Sequence, residues 1–166
     1  MQQRRLLELD LRQALEAGQF EVFYQPLVDL HVGAVTGVEA LLRWRHPDRG
    51  LVSPANFIPL AEEIGLIVPI GEWVLREACR MVASWPGAMR VAVNLSPVQF
   101  QSRTLVATVA RALHDAGMPA DRLELEITET VMLQDTEATL VTLGQLRDLG
   151  VRIAMDDFGT GYSSLG

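Results

Sequence analysis

Four oxygen-bearing positions in this chain fall in or just after short apolar runs. Glu39 stands among Val38, Ala40, Leu41 and Leu42, and Asn94 follows Val91-Ala92-Val93. Glu126 lies within Leu123-Glu124-Leu125-Glu126-Ile127, and Asp156-Asp157 follow Val151-Arg152-Ile153-Ala154-Met155. The last three recur at intervals of roughly 30 residues, the length of one strand-helix-strand unit, so successive parallel strands would deliver them to one rim. Oxygen donors without His or Cys suit a hard cation, Mg²⁺ or Mn²⁺, better than zinc. Two such ions can clamp a phosphodiester and generate hydroxide for in-line attack. His31, His46 and His114 fit no ligand or triad spacing.

Each position also has a plainer reading. Glu39 could be held by an ion pair with Arg43 on the same strand face, since a buried carboxylate is costly unless paired or bound to a cation. Asn94 precedes Ser96-Pro97 and could simply form a turn or cap a helix. Glu124 and Glu126 could line a solvated sheet face, although parallel sheets are normally covered on both sides. Asp156-Asp157 open a glycine-punctuated loop, Phe158 to Ser164, and could be an ordinary turn. Adjacent carboxylates repel, however, and a divalent cation is a natural way to keep both ionised.

The elements that must position these groups are legible from periodicity. Leu7, Leu11, Ala14 and Leu15 predict an amphipathic helix over 4–17, ended by Gly18 in a left-handed cap. Phe20 to Gln25, stopped by Pro26, and Val35 to Trp44 read as a hairpin. In its second strand Val38, Ala40 and Leu42 face one way, and Glu39, Leu41 and Arg43 the other. Ser53-Pro54 predicts an N-cap opening a helix that ends near Gly65, with Pro59 able to kink it. A second helix carries Ile70, Trp73, Val74, Ala78, Met81, Val82 and Trp85. Strands at 90–95, 123–128 and 151–155 then alternate with helices at 104–116 and 136–149, closed by Gly117 and Gly150. The fold class is α/β with a largely parallel sheet.

The chain of 166 residues is 49% hydrophobic and 21% charged, enough to bury a core. A complete (β/α)₈ barrel needs about 250 residues, so the sequence reads as an incomplete domain that ends after about the fifth strand. All 14 basic side chains are arginine, and with a net charge of −7 there is no basic footprint for a nucleic-acid polymer. The lone Cys79 sits among apolar helical residues, which fits a buried thiol and a reducing, cytoplasmic setting. The N-terminus lacks the apolar core of a signal peptide, and no stretch approaches the roughly 18 residues of a membrane span.

Tyr24-Gln25-Pro26, Glu39-Ala40-Leu41-Leu42-Arg43-Trp44, Asn94-Leu95-Ser96, Glu126-Ile127-Thr128-Glu129 and Asp156-Asp157-Phe158-Gly159-Thr160-Gly161 resemble, in order, spacing and identity, the EAL domain. The resemblance covers residues 19–166, while residues 1–18 resemble the connector that joins such a domain to an upstream GGDEF or sensory domain. It implies a TIM-like barrel, its first strand antiparallel, that hydrolyses cyclic di-GMP to linear pGpG with two Mg²⁺ or Mn²⁺ ions. It further implies Glu39, Asn94, Glu126 and Asp156 as metal ligands, with Asp157 shared between the second metal and the attacking water. Gln25, Leu41 and Arg43 would contact substrate. Glu129 would anchor the loop 157–164, which in the family helps organise the second metal and an EAL homodimer. The family's catalytic lysine, a further glutamate ligand and a late substrate-binding glutamine would lie beyond Gly166. The 166 residues contain no lysine. The chain by itself is therefore expected to be inactive, and the alternative role is a cyclic di-GMP receptor or interaction module without catalysis.

Overall fold

The computed structural model describes residues 2–134 and 136–155. Helix α1 (Gln2–Ala14) buries Leu7, Leu11 and Ala14, the stripe predicted by its period. It stops one turn earlier than the sequence suggests, and Gly18 takes its left-handed conformation (φ 68°) in the turn beyond. Strand β1 (Phe20–Asp29) pairs antiparallel with β2 (Ala34–His46). Pro26 does not end β1, contrary to the expectation from sequence. Among the described strands β1 lies at the sheet edge and pairs only with β2, so a residue without an N–H costs the ladder little there. A short β3 (Gly50–Val52) folds back on the end of β2.

Helices α2 (Pro54–Glu63) and α3 (Ile67–Ala83) follow. Ser53 occupies the N-cap of α2 without a side-chain capping bond, and the helix there relies on Pro54 at its first position. Strand β4 (Arg90–Asn94) then enters the sheet parallel to β2. It leads to α4 (Pro97–Gln101) and α5 (Leu105–Ala116). A 3₁₀ turn (Ala120–Arg122) feeds β5 (Leu123–Ile127), followed by α6 (Glu129–Gln134), α7 (Glu137–Leu149) and β6 (Arg152–Met155). Gly117 and Gly150 cap α5 and α7 at φ 65° and 101°, as their positions predict.

The sheet order is β1-β2-β4-β5-β6, with β4, β5 and β6 parallel to β2 and β1 antiparallel. This is the partial TIM-like barrel expected, and β6 is the fifth strand along that path. Register pairs Glu39 with Ala92, Ala92 with Glu124 and Glu124 with Arg152, so these residues share one face. Val91, Val93, Leu123, Leu125 and Ile127 occupy the opposite face and are buried beneath the helices.

The core has an aromatic corner where β1, β2 and α2 meet. Trp44 packs 5.5 Å from Phe57 and 6.0 Å from Phe20, ring centre to ring centre. Its indole N–H donates to Gln19 Oε1 at 3.0 Å, so the buried ring leaves no polar atom unpaired. The same corner holds α1. His46 Nδ1 accepts from the amides of Asp48 and Arg49, which leaves Nε2 to donate to Asp10 at 2.7 Å.

Two weak acids are sealed in their neutral forms. Burial pushes the Cys79 thiol up to about 12 from 9.0. Burial, with the Glu77 carboxylate adding to it, pushes the Tyr24 phenol up to about 12 from 10.0. In the unfolded chain both groups ionise at lower pH, so above about pH 9 the unfolded state holds fewer protons and stability falls as pH rises. Denaturation midpoints measured from pH 7 to 11 should be flat at first and decline above about 9. Cys79 should react with a thiol reagent at neutral pH only after unfolding.

Candidate metal and ligand site

Parallel strands present their C-terminal ends on one edge, and the oxygen donors gather there. Glu39 is 6% exposed, deep enough that its charge needs a partner. The ion pair with Arg43 does not form. Instead Asn94 Nδ2 donates to Glu39 Oε2 at 2.9 Å, across the β2–β4 junction. Asn94 stands two residues past Ala92, the register partner of Glu39, so this bond runs diagonally, as expected when strands stagger in a barrel. Asn94 is itself in register with Glu126, and Leu95 N donates to Glu126 O at 2.8 Å. Asn94 therefore closes no helix of its own. It bridges two carboxylate-bearing strands.

Arg43 lies on the Glu39 face, half-buried. Its Nη1 donates to the Leu42 carbonyl at 3.0 Å, and its guanidinium sits 5.4 Å from the centre of the Phe23 ring. A cation over an aromatic face gains about 0.5–1 kcal/mol and is held in orientation. Leu41 is buried beside it, and Gln25 stands opposite Glu39 in the β1–β2 register, exposed. Glu129 opens α6 and is exposed. Asp156 and Asp157 lie outside the described residues, as does the loop 157–164.

Beside this edge lies a cavity of about 300 Å³, walled by Leu41, Arg43, Asn94, Ser96, Thr128 and Glu62 of α2. Thr128 Oγ1 is buried there without a hydrogen-bond partner. The pocket joins apolar walls to a cation, a carboxylate and hydroxyls, a lining suited to a polar heterocycle carrying phosphate.

Among the described residues no three His, Cys, Asp or Glu side chains converge closely enough to hold a metal ion. What the strands bring together is Glu39, bonded to the Asn94 amide, and Glu126, the register partner of Asn94 on β5. Oxygen donors of this kind fit a hard divalent cation, and Asn94, with its N–H₂ turned to Glu39, keeps its amide oxygen as a donor. The donor chemistry of Glu39 and Asn94 fits such an ion.

Sequence reasoning overlooked three parts of the site. Phe23, which orients Arg43, was signalled by its place two residues from Gln25 on the same strand face. The short helix α4 was announced by Ser96-Pro97-Val98-Gln99, a capping box in which the Ser96 hydroxyl accepts from Val98 N and Gln99 Oε1 accepts from Ser96 N. Glu62 had no local signal, because its role depends on α2 folding over β4.

A partial (β/α) barrel with an antiparallel first strand defines an α/β domain of the TIM-like class. The family model of the EAL domain matches residues 8–166, and the chain belongs to that family. The match begins inside α1. The protein y4lL of Sinorhizobium fredii is 55% identical over 162 residues, 98% of this chain and 20% of its own length. The bifunctional diguanylate cyclase/cyclic di-GMP phosphodiesterase MucR of Pseudomonas aeruginosa is 52% identical over 160 residues, 94% of this chain and 23% of its own length. The chain thus spans about a fifth of these relatives. Among solved structures, a MucR phosphodiesterase in complex with c-di-GMP superposes with a TM-score of 0.89, covering 96% of this chain and 66% of that one at 52% identity. The EAL enzyme Bd1971, bound to cAMP and cyclic-di-GMP, superposes at 0.88 with 33% identity, covering 98% of this chain and 46% of that one.

Proposed function

We propose that this chain contributes the first five strands along the sheet of a cyclic di-GMP phosphodiesterase, and with them the first half of its site. The observation that carries the reading is the Asn94–Glu39 hydrogen bond at 2.9 Å, which joins two of the proposed ligands at the strand ends. Glu39, Asn94, Glu126, Asp156 and Asp157 would hold Mg²⁺ or Mn²⁺. When bound, such ions supply charge neutralisation and a hydroxide nucleophile. This chain's own residues do the rest: Arg43 receives a phosphate oxygen, Leu41 and the cavity wall exclude water from a base, and Gln25 contacts substrate from β1. Glu129 anchors the loop after β6. The similarity to MucR, a phosphodiesterase solved with c-di-GMP, supports this substrate class.

Residues 1–18 act as a connector to an upstream GGDEF or sensory domain and 19–166 as the EAL portion, with a second EAL copy as a further partner. Among the described residues no helix is long and apolar enough to cross a membrane, which is compatible with a cytoplasmic site of action. The family's lysine has no counterpart in the 166 residues, so the chain by itself binds without turning over. Incubated with cyclic di-GMP and Mn²⁺, it should form no pGpG above background by chromatography; robust pGpG formation would contradict this.

Arg43→Ala should weaken cyclic di-GMP binding roughly 10- to 100-fold by calorimetry, the worth of one charge-assisted phosphate contact. Arg43→Lys should restore only part of it, because an ammonium neither forks onto phosphate nor stacks on Phe23 as a guanidinium does.

A further inference from the structure

The turn after Asn94 is bonded to a carboxylate, Glu62, that no ligand motif contains. We infer that Glu62, on α2, is a positioning residue that holds the Asn94 amide against Glu39 by clamping Ser96. The functional meaning of this clamp rests on the reading of Asn94 as a metal ligand.

The backbone from Asn94 to Ser96 is tied at three points. Leu95 N donates to Glu126 O at 2.8 Å, and Ser96 N donates to Gln99 Oε1 at 3.0 Å. The third tie is the Ser96 hydroxyl. It accepts from Val98 N at 3.1 Å, which leaves its hydrogen to donate to Glu62 Oε2 at 2.5 Å. Of the three, only this last bond reaches outside β4, β5 and α4, and it ties the turn after Asn94 to α2. Charge-assisted O–H···O⁻ bonds are short and roughly twice as strong as neutral ones.

The cap is also wedged from α3. Gln99 is 5% exposed, and a Cβ added at Gly71 would stand 1.8 Å from Gln99 Nε2. Gly71 therefore leaves room for the side chain that receives the Ser96 amide. Glu62 pulls on the turn and Gly71 permits its second tie, and both line the cavity that Asn94 borders. Two elements remote in sequence thus converge on one ligand position.

The test is two-dimensional amide NMR on the full chain, with the Asn94 side-chain N–H₂ pair identified by its loss in Asn94→Ser. In Glu62→Ala that pair should move toward the position of a free amide, and its exchange protection should fall about tenfold. Glu62→Gln, whose carbonyl still accepts from Ser96, should keep the wild-type position. Gly71→Ala, which displaces Gln99, should shift the same resonance. A purely structural role would lower the melting temperature of Glu62→Ala and leave the Asn94 pair in place, and that result overturns the inference. Should Glu62→Ala not fold, Ser96→Ala breaks the same bond from its other end and must give the same displacement. Mn²⁺ titration separates the two readings. Affinity lowered about tenfold in Glu62→Ala, as expected on loss of an outer-shell contact, supports both. A displaced Asn94 with unchanged Mn²⁺ affinity supports the positioning role and removes Asn94 from the ligands.

Discussion

Trp44→Ala is expected to destabilise the fold by about 3–5 kcal/mol, a large share of the roughly 5–15 kcal/mol that a domain commands. Trp44 is completely buried, and its ring contacts Phe20, Phe57 and His46. Truncation removes these contacts together and leaves Gln19 Oε1 without the indole donor. The corner cannot collapse to fill the void, because its walls belong to β1, β2, α2 and the His46 turn, each held by its own backbone bonds. The lost burial, the cavity and the orphaned acceptor therefore add. For a chain of this size the melting temperature should fall by roughly 6–20 °C, read by circular dichroism. A change below about 1 kcal/mol would mean that the corner is not packed as described. The loss also matters for function, since Trp44 directly follows Arg43 and keeps the end of β2 in place.

Glu39→Gln should act in the opposite way on fold and site. The replacement has nearly the same volume, and its carbonyl still accepts from Asn94 Nδ2. What it removes is a charge buried at 6% exposure whose hydrogen-bond partner among the described residues is a neutral amide. Burying such a charge costs stability, so the melting temperature should hold or rise. Mn²⁺ affinity should fall by more than the roughly 10- to 100-fold usual for an outer-shell partner, because the lost group is a proposed ligand itself. Paired melting curves and Mn²⁺ titrations check both halves. A destabilised variant with unaltered affinity would recast Glu39 as a structural residue.

Most of the scaffold could be read from local pattern, and the reasons are specific. Leu7, Leu11 and Ala14 repeat at helical spacing because α1 has one buried stripe, and Gly117 and Gly150 mark helix ends because their left-handed φ suits no other residue as well. Pro26 misled because the rule against proline in strands assumes a partner on both sides, and β1 shows one partner among the described strands. At the site, the spacing of Asn94 and Glu126 was enough to put them on one rim, since parallel strands share an edge. That Glu39 would meet Asn94 could not be decided locally. Residues four apart on a strand are too far separated to be preferred partners, while the diagonal neighbour on β4 depends on register. Glu62 was invisible for the same reason, its role being created by tertiary contact, whereas Phe23 carried a local signal in its place beside Gln25 on one strand face.

The proposed function makes this chain the metal-dependent half of a cyclic di-GMP site. Calorimetric titration of cyclic di-GMP into the chain, with Mn²⁺ and again with chelator, tests it most directly. Saturable one-to-one binding is expected in Mn²⁺, weakened by chelation and by Arg43→Ala. Heat of dilution alone in Mn²⁺, or binding indifferent to both chelator and Arg43→Ala, would contradict it.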